Sequence, residues 1–539
     1  MAVSSEFEAE ITERTDITEQ LLAIGTALSG TQDLGELLNL ILLKSRELTC
    51  SDAGSVYLVD RTSENPMLWF KASQNDSVPE TAFQEFAMPL TQNSLAGYVA
   101  ITGRCLNIPD AYDLPLTFPY QLDRSFDRSI AYRTRSVLVL PMQNQDGETI
   151  GVLQLINRKL HPTLIVTLEN VLQVTQSFSD WEKRILRSLA SQAAISIERN
   201  QLQESIENLF EGFVKASVQI IEARDPSTYG HSERVATLTV RLAEEADSVA
   251  TGSLRLVQFS DRQLQEVRYA ALLHDFGKVG VPEAVLGKQK KLYPLQLEVL
   301  RNRFALVRRT LEMDCAQAKF SHLIEHPSYR QSHATESDCP HCQQMQQLDE
   351  KLAAAIAQLE TYWNVLLEAN EPRILAEEPL AQLKEIAEYT YLDVDGTKQP
   401  LITSEELTQL MVRRGSLTAL ERQAIQAHVT HTYEFLKRIP WTKHLKDVPL
   451  IAYGHHEKLD GTGYPLGLKA AEIPIQSQMM AIADIYDALT AGDRPYKRGL
   501  PVASAMQILR QEVSQNKINQ DLIDLFEQRQ LFAVLGHEL

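Results

Sequence analysis

Cysteine is scarce, with five in 539 residues: Cys50, Cys105, Cys315, Cys339 and Cys342. An odd, widely spaced set does not make a disulfide framework, so reduced thiols are expected. Long apolar runs are missing too. No segment holds the ~18 uninterrupted apolar residues of a membrane span. The opening MAVSSEFEAEITER is acidic where a secretory leader needs a basic start and an apolar stretch. A cytoplasmic protein is the expectation. Positive charge is in deficit, 52 Lys and Arg against 71 Asp and Glu, for a formal charge of -19. Binding to a nucleic-acid polymer rests on neutralising phosphates with cationic side chains, so this balance argues against such a partner and leaves room for a local cationic pocket. The remaining composition, 44% hydrophobic and 23% charged, is that of a globular chain. Its length suits ~3 to 4 folding units.

In the first half, residues 17–48 carry apolar residues at helical spacing, interrupted at Gly30 and the following Thr-Gln-Asp, which predicts two successive amphipathic helices behind a tail of residues 1–16. Strand-like runs follow at 53–60, 67–73, 136–142 and 149–158, and Gln145-Asp146-Gly147 reads as the turn of a hairpin joining the last two. An antiparallel sheet with flanking helices is the economical reading. From Ser179 to Arg224 there is no proline, and Trp181, Ile185, Leu189, Ile195, Leu202, Ile206, Leu209, Phe213 and Ile220 form a stripe drifting between spacings of three and four. That predicts a long helix able to pair in parallel with a second copy, a homodimer.

The segments SLAGYVAITGRCLNIPDAYD (94–113) and SVLVLPMQNQDGETIGVLQLINRK (136–159), behind the helical entry, resemble a GAF domain. The resemblance implies an α+β sensor over residues 17–178, with an unidentified small molecule or protein as its ligand, followed by a helical linker over 179–215. Some relatives bind bilins through a cysteine. Cys105 lacks the usual neighbouring histidine and reads better as a small core residue.

Beyond residue 225, histidines and aspartates recur inside or at the ends of apolar helical stretches: His231, His274 with Asp275, His428, His455 with His456, and Asp484. An ionisable group facing a core is costly unless it is paired or bound to metal. His274-Asp275-Phe276-Gly277-Lys278 followed by HHEKLDGTGYP at 455–465 resembles the HD-GYP phosphodiesterases, an all-helical branch of the HD phosphohydrolases. The resemblance implies an HD-GYP domain over 216–539 that hydrolyses cyclic di-GMP to linear pGpG, with GMP as a further product. It makes His274, Asp275 and Lys278 catalytic and His231, His274, Asp275, His428, His455, His456 and Asp484 metal ligands. Lys278, Tyr464, Asp487, Arg494 and Lys497 become substrate contacts. Two divalent ions, iron or manganese, are implied. Some relatives hold a third through a Glu four residues before the first histidine, where this chain has Ser227. A thiolate-free set of nitrogen and oxygen donors suits such ions as well as zinc, and an ion pair clamps phosphate oxygens while lowering the pKa of water. A hydrolase of another cyclic dinucleotide and a catalytically silent cyclic di-GMP receptor are the alternatives.

In the family the HD pair and the next ligand histidine lie close in sequence, whereas here a polar, helix-forming insertion runs over about 291–415. A helical hairpin beside the active site is expected. It contains His322, His326, His333, Cys339, His341 and Cys342. Cys339, His341 and Cys342 have the short-loop spacing of a zinc knuckle without its second pair, and also of a redox motif without its strand-to-helix context. A structural metal, a redox switch and a plain loop all remain open. His326-Pro327 imitates the fourth ligand position, but the helical pattern continues after His428, whose helix Ser416 or Thr418 would cap.

Overall fold

The computed structural model describes residues 23–28, 30–31, 33–62, 64–78, 85–225, 229–326, 339–374, 376–492 and 499–538. The tail at 1–16 and the expected contacts Arg494 and Lys497 lie outside the described residues, as do Ser227 and His333. The chain divides into two compact units, Met1–Glu211 and Gly212–Leu539.

The first unit is built on one antiparallel sheet. Helix α1 (Leu34–Thr49) starts where the Asp33 carboxylate accepts the Glu36 N–H, and it buries Leu37, Leu38, Ile41 and Leu42. Strands β1 (Ser51–Asp60), β2 (Met67–Asn75), β3 (Phe86–Pro89), β4 (Leu106–Ile108), β5 (Val137–Gln143), β6 (Thr149–Lys159) and β7 (Thr175–Gln176) follow. They lie in the order β3-β2-β1-β6-β5-β4, with β7 beside β6. The expected hairpin joins β5 to β6, its turn closed by Asn144 Oδ1 accepting from the N–H groups of Asp146 and Glu148. Alternation along β5 sorts the two faces. Leu138, Leu140 and Met142 pack with α1 and with Leu186, Leu189, Ala193 and Ile197. Val137 and Val139 pack with Leu95, Val99 and Ala100 of α2 (Leu95–Thr102). Cys105 lies against the first of these cores, and burial raises its thiol pKa. On the α2 side a cavity of about 570 Å³ is lined by Tyr57, Phe70, Phe86, Tyr132 and Gln154.

Helix α3 (Asp180–Arg224) is 45 residues long, as its proline-free stripe predicted. Leu186 to Ile197 bury one face in the first unit, while Ile195, Leu202, Ile206, Leu209, Phe213 and Ile220 stay exposed.

The second unit is helical: α4 (His231–Asp247), α5 (Asp261–Leu273), α6 (Pro294–Glu325), α7 (Pro340–Asn370), α8 (Glu377–Glu388), α9 (Ser404–Leu410), α10 (Ala419–Leu436), α11 (Val448–Tyr453), α12 (Ile475–Thr490), α13 (Val502–Ser514) and α14 (Gln520–Gln528). The stretch expected as an insertion spans α6 to α9 and departs from a simple helical hairpin. It includes a small hairpin of β8 (Thr390–Leu392) and β9 (Lys398–Pro400), turned at Asp395-Gly396 with Gly396 at φ 81°. It also has its own core, in which Leu300, Phe304, Leu359, Leu366, Leu383, Leu401 and Leu410 meet. Its base is pinned where the backbone N–H groups of Lys291 and Leu292 donate to the carbonyl and side chain of Asn370. Buried Lys291 donates to the Leu410 carbonyl at the end of α9. Among the described residues no helix is long and apolar enough to cross a membrane.

Candidate metal centre

His274 caps the C-terminus of α5, and Asp275 opens a 3-10 turn over Phe276–Gly280. That turn presses against α10 so closely that a Cβ on Gly277 would stand 1.9 Å from the His428 carbonyl oxygen. Only glycine fits there. Thr432 fastens the contact: its hydroxyl accepts the Gly277 N–H at 2.8 Å and donates to the His274 carbonyl at 2.9 Å. The HD pair is thereby held against the helix that carries His428. Thr418 starts that helix with a reciprocal capping box to Glu421. His231 is the first residue of α4, entered through Gly230 at φ 65°. His455 and His456 follow α11, and Asp484 lies within α12.

Three imidazoles share one device. Nδ1 of His274, His428 and His455 each lies 2.6 Å from the carbonyl three residues earlier, those of Ala271, Ile425 and Ala452. Nδ1–H donation to a carbonyl fixes the tautomer and leaves the Nε2 lone pair free. These residues are only 1%, 2% and 1% exposed, and their Nε2 atoms have no hydrogen-bond partner among the described residues. His428 Nε2 lies 3.3 Å from Asp275 Oδ1 without the alignment of a hydrogen bond. Buried lone pairs left without a donor are the condition a metal ion satisfies.

The donors form two groups, His231 with His274 and Asp275, and His428 with His455 and His456, each with ligand atoms within 4.8 Å of one another. Two carboxylates span them. Asp275 turns Oδ1 toward His428, and Oδ2 toward His274 (3.5 Å) and His231 (3.7 Å). Asp484 places Oδ1 3.3 Å from His231 and Oδ2 3.8 Å from His456. All seven residues expected as ligands therefore converge, in two groups that could each hold a metal ion. They contain no thiolate.

The electrostatics match. Burial lowers the pKa of His274 and His455 and brings His456 to about 4, so these rings are neutral donors at pH 7. Burial alone would raise Asp275 and Asp484; the Lys278 ammonium foremost outweighs it at Asp275, and the His231 hydrogen bond foremost at Asp484, keeping both ionised. Burial would lower His231, but Asp484 and Asp487 outweigh it and raise its pKa to about 9. A cation held at Nε2 would take the place of that second proton.

The expected substrate contacts divide. Lys278 Nζ stands 2.9 Å from Asp275 Oδ2 and 3.5 Å from Asp225, carboxylates that outweigh burial and raise its pKa. Tyr464 leans on His456, ring centroids 4.8 Å apart. Its loop is held by Glu457, whose two oxygens accept the N–H groups of Leu466 and Leu468. Asp487 does not face the open site. It is buried, and its oxygens accept from His231 Nδ1 at 2.7 Å and Arg234 Nε at 2.6 Å. His326 stands with His322 and His341 rather than with the HD cluster. Cys339 is the N-cap of α7, and His341 and Cys342 lie in its first turn.

Sequence reasoning passed over Thr432, Arg234 and Asp225. For the first two a signal existed: Thr432 is one helical turn after His428, and Arg234 is three residues after His231. Asp225 carried none.

The fold and the donor cluster define a chain in which an antiparallel-sheet domain precedes a helical metal-site domain. It joins a GAF domain, matched over residues 33–197, to an HD domain matched in two stretches, 228–357 and 403–522. HD domains are metal-dependent hydrolases. Over 104 residues the chain is 36% identical to 3′3′-cGAMP-specific phosphodiesterase 3 of Vibrio cholerae serotype O1, covering 19% of this chain and 22% of that protein. Over 61 residues it is 52% identical to a probable cyclic di-GMP phosphodiesterase of the same organism, covering 11% of this chain and 14% of the relative. The matched segments thus span less than a quarter of these curated relatives. Among solved structures, the GAF domain of the Acinetobacter phosphoenolpyruvate-protein phosphotransferase is 16% identical, with a TM-score of 0.27, covering 35% of this chain and 96% of that one.

Proposed function

We propose that the chain hydrolyses cyclic di-GMP to linear pGpG at two divalent ions, iron or manganese, in the HD domain, under control of a small molecule or protein held by the GAF domain. The observation that carries this reading is the pair of donor groups bridged by Asp275 and Asp484, with buried Nε2 atoms left without partners. Bound ions supply Lewis-acid stabilisation of a phosphodiester and a water nucleophile at neutral pH. The chain's own residues do the rest. His274, His428 and His455 arrive with their tautomers set. Lys278 brings an ammonium beside Asp275 to meet a phosphate oxygen. Tyr464 gives a ring at the edge of the site on which a guanine can stack. Water adds to one phosphorus, one P–O ester bond breaks, and the released ribose oxygen takes the proton. The ring opens to a linear dinucleotide.

Another cyclic dinucleotide is the second reading, supported by the similarity to a 3′3′-cGAMP-specific enzyme. The test is turnover of both nucleotides by anaerobically purified full chain with added Mn(II) or Fe(II). Faster cleavage of cyclic di-GMP supports the first reading, and preference for 3′3′-cGAMP replaces it with the second. Tight binding of metal-loaded protein without turnover makes the chain a receptor and rejects both.

A further inference from the structure

The HD centre leaves unused a second convergence of imidazoles at the far end of the insertion. His322 and His326 are one helical turn apart at the C-terminal end of α6, and His341 lies in the first turn of α7. Ring centroids are 4.6 Å (His322–His326), 4.7 Å (His326–His341) and 5.2 Å (His322–His341) apart, and the ligand atoms lie within 4.8 Å of one another. His322 Nε2 stands 3.1 Å from His341 Nδ1. Two nitrogens on a tetrahedral ion with bonds of ~2.0–2.1 Å are separated by roughly 3.3 Å. His326 Nδ1 meets the His322 carbonyl at 3.0 Å, which frees its Nε2 as a lone-pair donor, the device found at the HD centre. Thiols flank His341 on both sides. Cys339 is the N-cap residue of α7 and Cys342 the third residue of the helix, so each thiol lies within two residues of His341.

Among the described residues, little apolar packing holds the end of the hairpin together. Along α6 the buried side chains are Leu300, Phe304 and Val307, and along α7 they begin only at Leu359. Toward the tip Phe320, Leu323 and Ile324 are exposed. Apart from Lys319–Asp349 and a Cys315–Leu348 contact, little apolar burial spans the two helices there. A helix pair whose shared core stops short of its end gains from a cross-link there.

We infer that this tip is a structural metal site, taking one zinc-class divalent ion on His322, His326 and His341, with a thiolate of the Cys339/Cys342 pair as fourth ligand. The ion clips α6 to α7 and so sets the shape of the insertion. The thiolate separates this site from the HD centre experimentally. Full-length protein loaded with Co(II) is expected to show thiolate-to-cobalt charge-transfer absorption, which Cys339→Ser/Cys342→Ser abolishes and Asp275→Ala retains. Metal content by mass spectrometry is expected to fall by one ion per chain in His322→Ala/His326→Ala. Equal metal content in that variant and the wild type, or no charge-transfer absorption in the cobalt-loaded wild type, overturns the inference. Should the histidine variant not fold, the cobalt spectrum of the wild type against the serine variant decides alone. None of these readouts depends on which nucleotide the HD domain cleaves.

Discussion

Asp487 Oδ2 lies 2.7 Å from His231 Nδ1, and its other oxygen is held by Arg234 Nε at 2.6 Å. This buried carboxylate aims the His231 ring, so that Nε2 faces Asp484 and Asp275. Carboxylates behind a metal-binding histidine contribute about 10- to 100-fold in metal affinity. Asp487→Asn is therefore expected to weaken metal binding by that factor in chelator competition, and to lose turnover that excess metal restores. A raised KM with unchanged metal affinity would make Asp487 a substrate contact instead.

Asp275 stands where both donor groups and Lys278 meet. Removing it takes away a bridging ligand and leaves Lys278 with Asp225, 3.5 Å away, as its carboxylate partner. Asp275→Ala and His274→Ala are each expected to lower cyclic dinucleotide turnover by about 10³-fold or more, since Lewis-acid stabilisation accounts for several kcal/mol. The first unit, with its own cores, should keep its thermal transition. Wild-type turnover in either variant rejects the site.

What was legible followed from local pattern. The proline-free stripe gave α3 and the alternation in 136–158 gave β5 and β6, while the donor set came from the resemblance carried by His274-Asp275 and the motif at 455–465. What escaped depended on distance through space. Asp487 shares a helix with Asp484 three residues earlier, which suggests a common face, but its partners come from α4, some 250 residues away in the chain. The β8–β9 hairpin had a readable Asp395-Gly396 turn, hidden because its strands are three residues each and lie in a helix-rich insertion. The core shared by α6 to α9 could not be read from helical periodicity alone, because it is assembled from several elements.

Glu421 joins the insertion's base to the His428 helix. It completes the cap on Thr418 and accepts from Lys288 Nζ at 2.7 Å and from the Tyr293 hydroxyl. Burial opposes ionisation, but these donors outweigh it and lower its pKa from 4.5 to about 2. A carboxyl lowered on folding contributes stability that is complete above its unfolded value and lost as pH falls through the folded one. The contribution should fade between pH about 4.5 and about 2. Glu421→Gln is expected to lower the HD transition temperature at pH 7, with the difference from wild type closing across that window in scanning calorimetry. A gap independent of pH would assign the loss to packing. Thr418→Ala, which removes the cap together with the hydroxyl's bond to the Glu421 carboxylate, should cost about 1 kcal/mol.

Leu202, Leu209, Ile206 and Phe213 are 61%, 75%, 58% and 41% exposed on one helix. Their spacings of four, three and four residues are those of a two-stranded seam, so a second copy of α3 in parallel would cover them. Burying one leucine contributes about 2 kcal/mol. Counted in both chains, one seam position then gives ~4 kcal/mol, or close to 10³ in dissociation constant. Leu209→Lys both forfeits that burial and places like charges in contact. It is expected to convert a dimer into a monomer in light scattering at micromolar concentration, while circular dichroism keeps its helical signal. Lys215→Ala on the same helix should leave the mass unchanged. A wild-type chain that is monomeric at tens of micromolar rejects the seam.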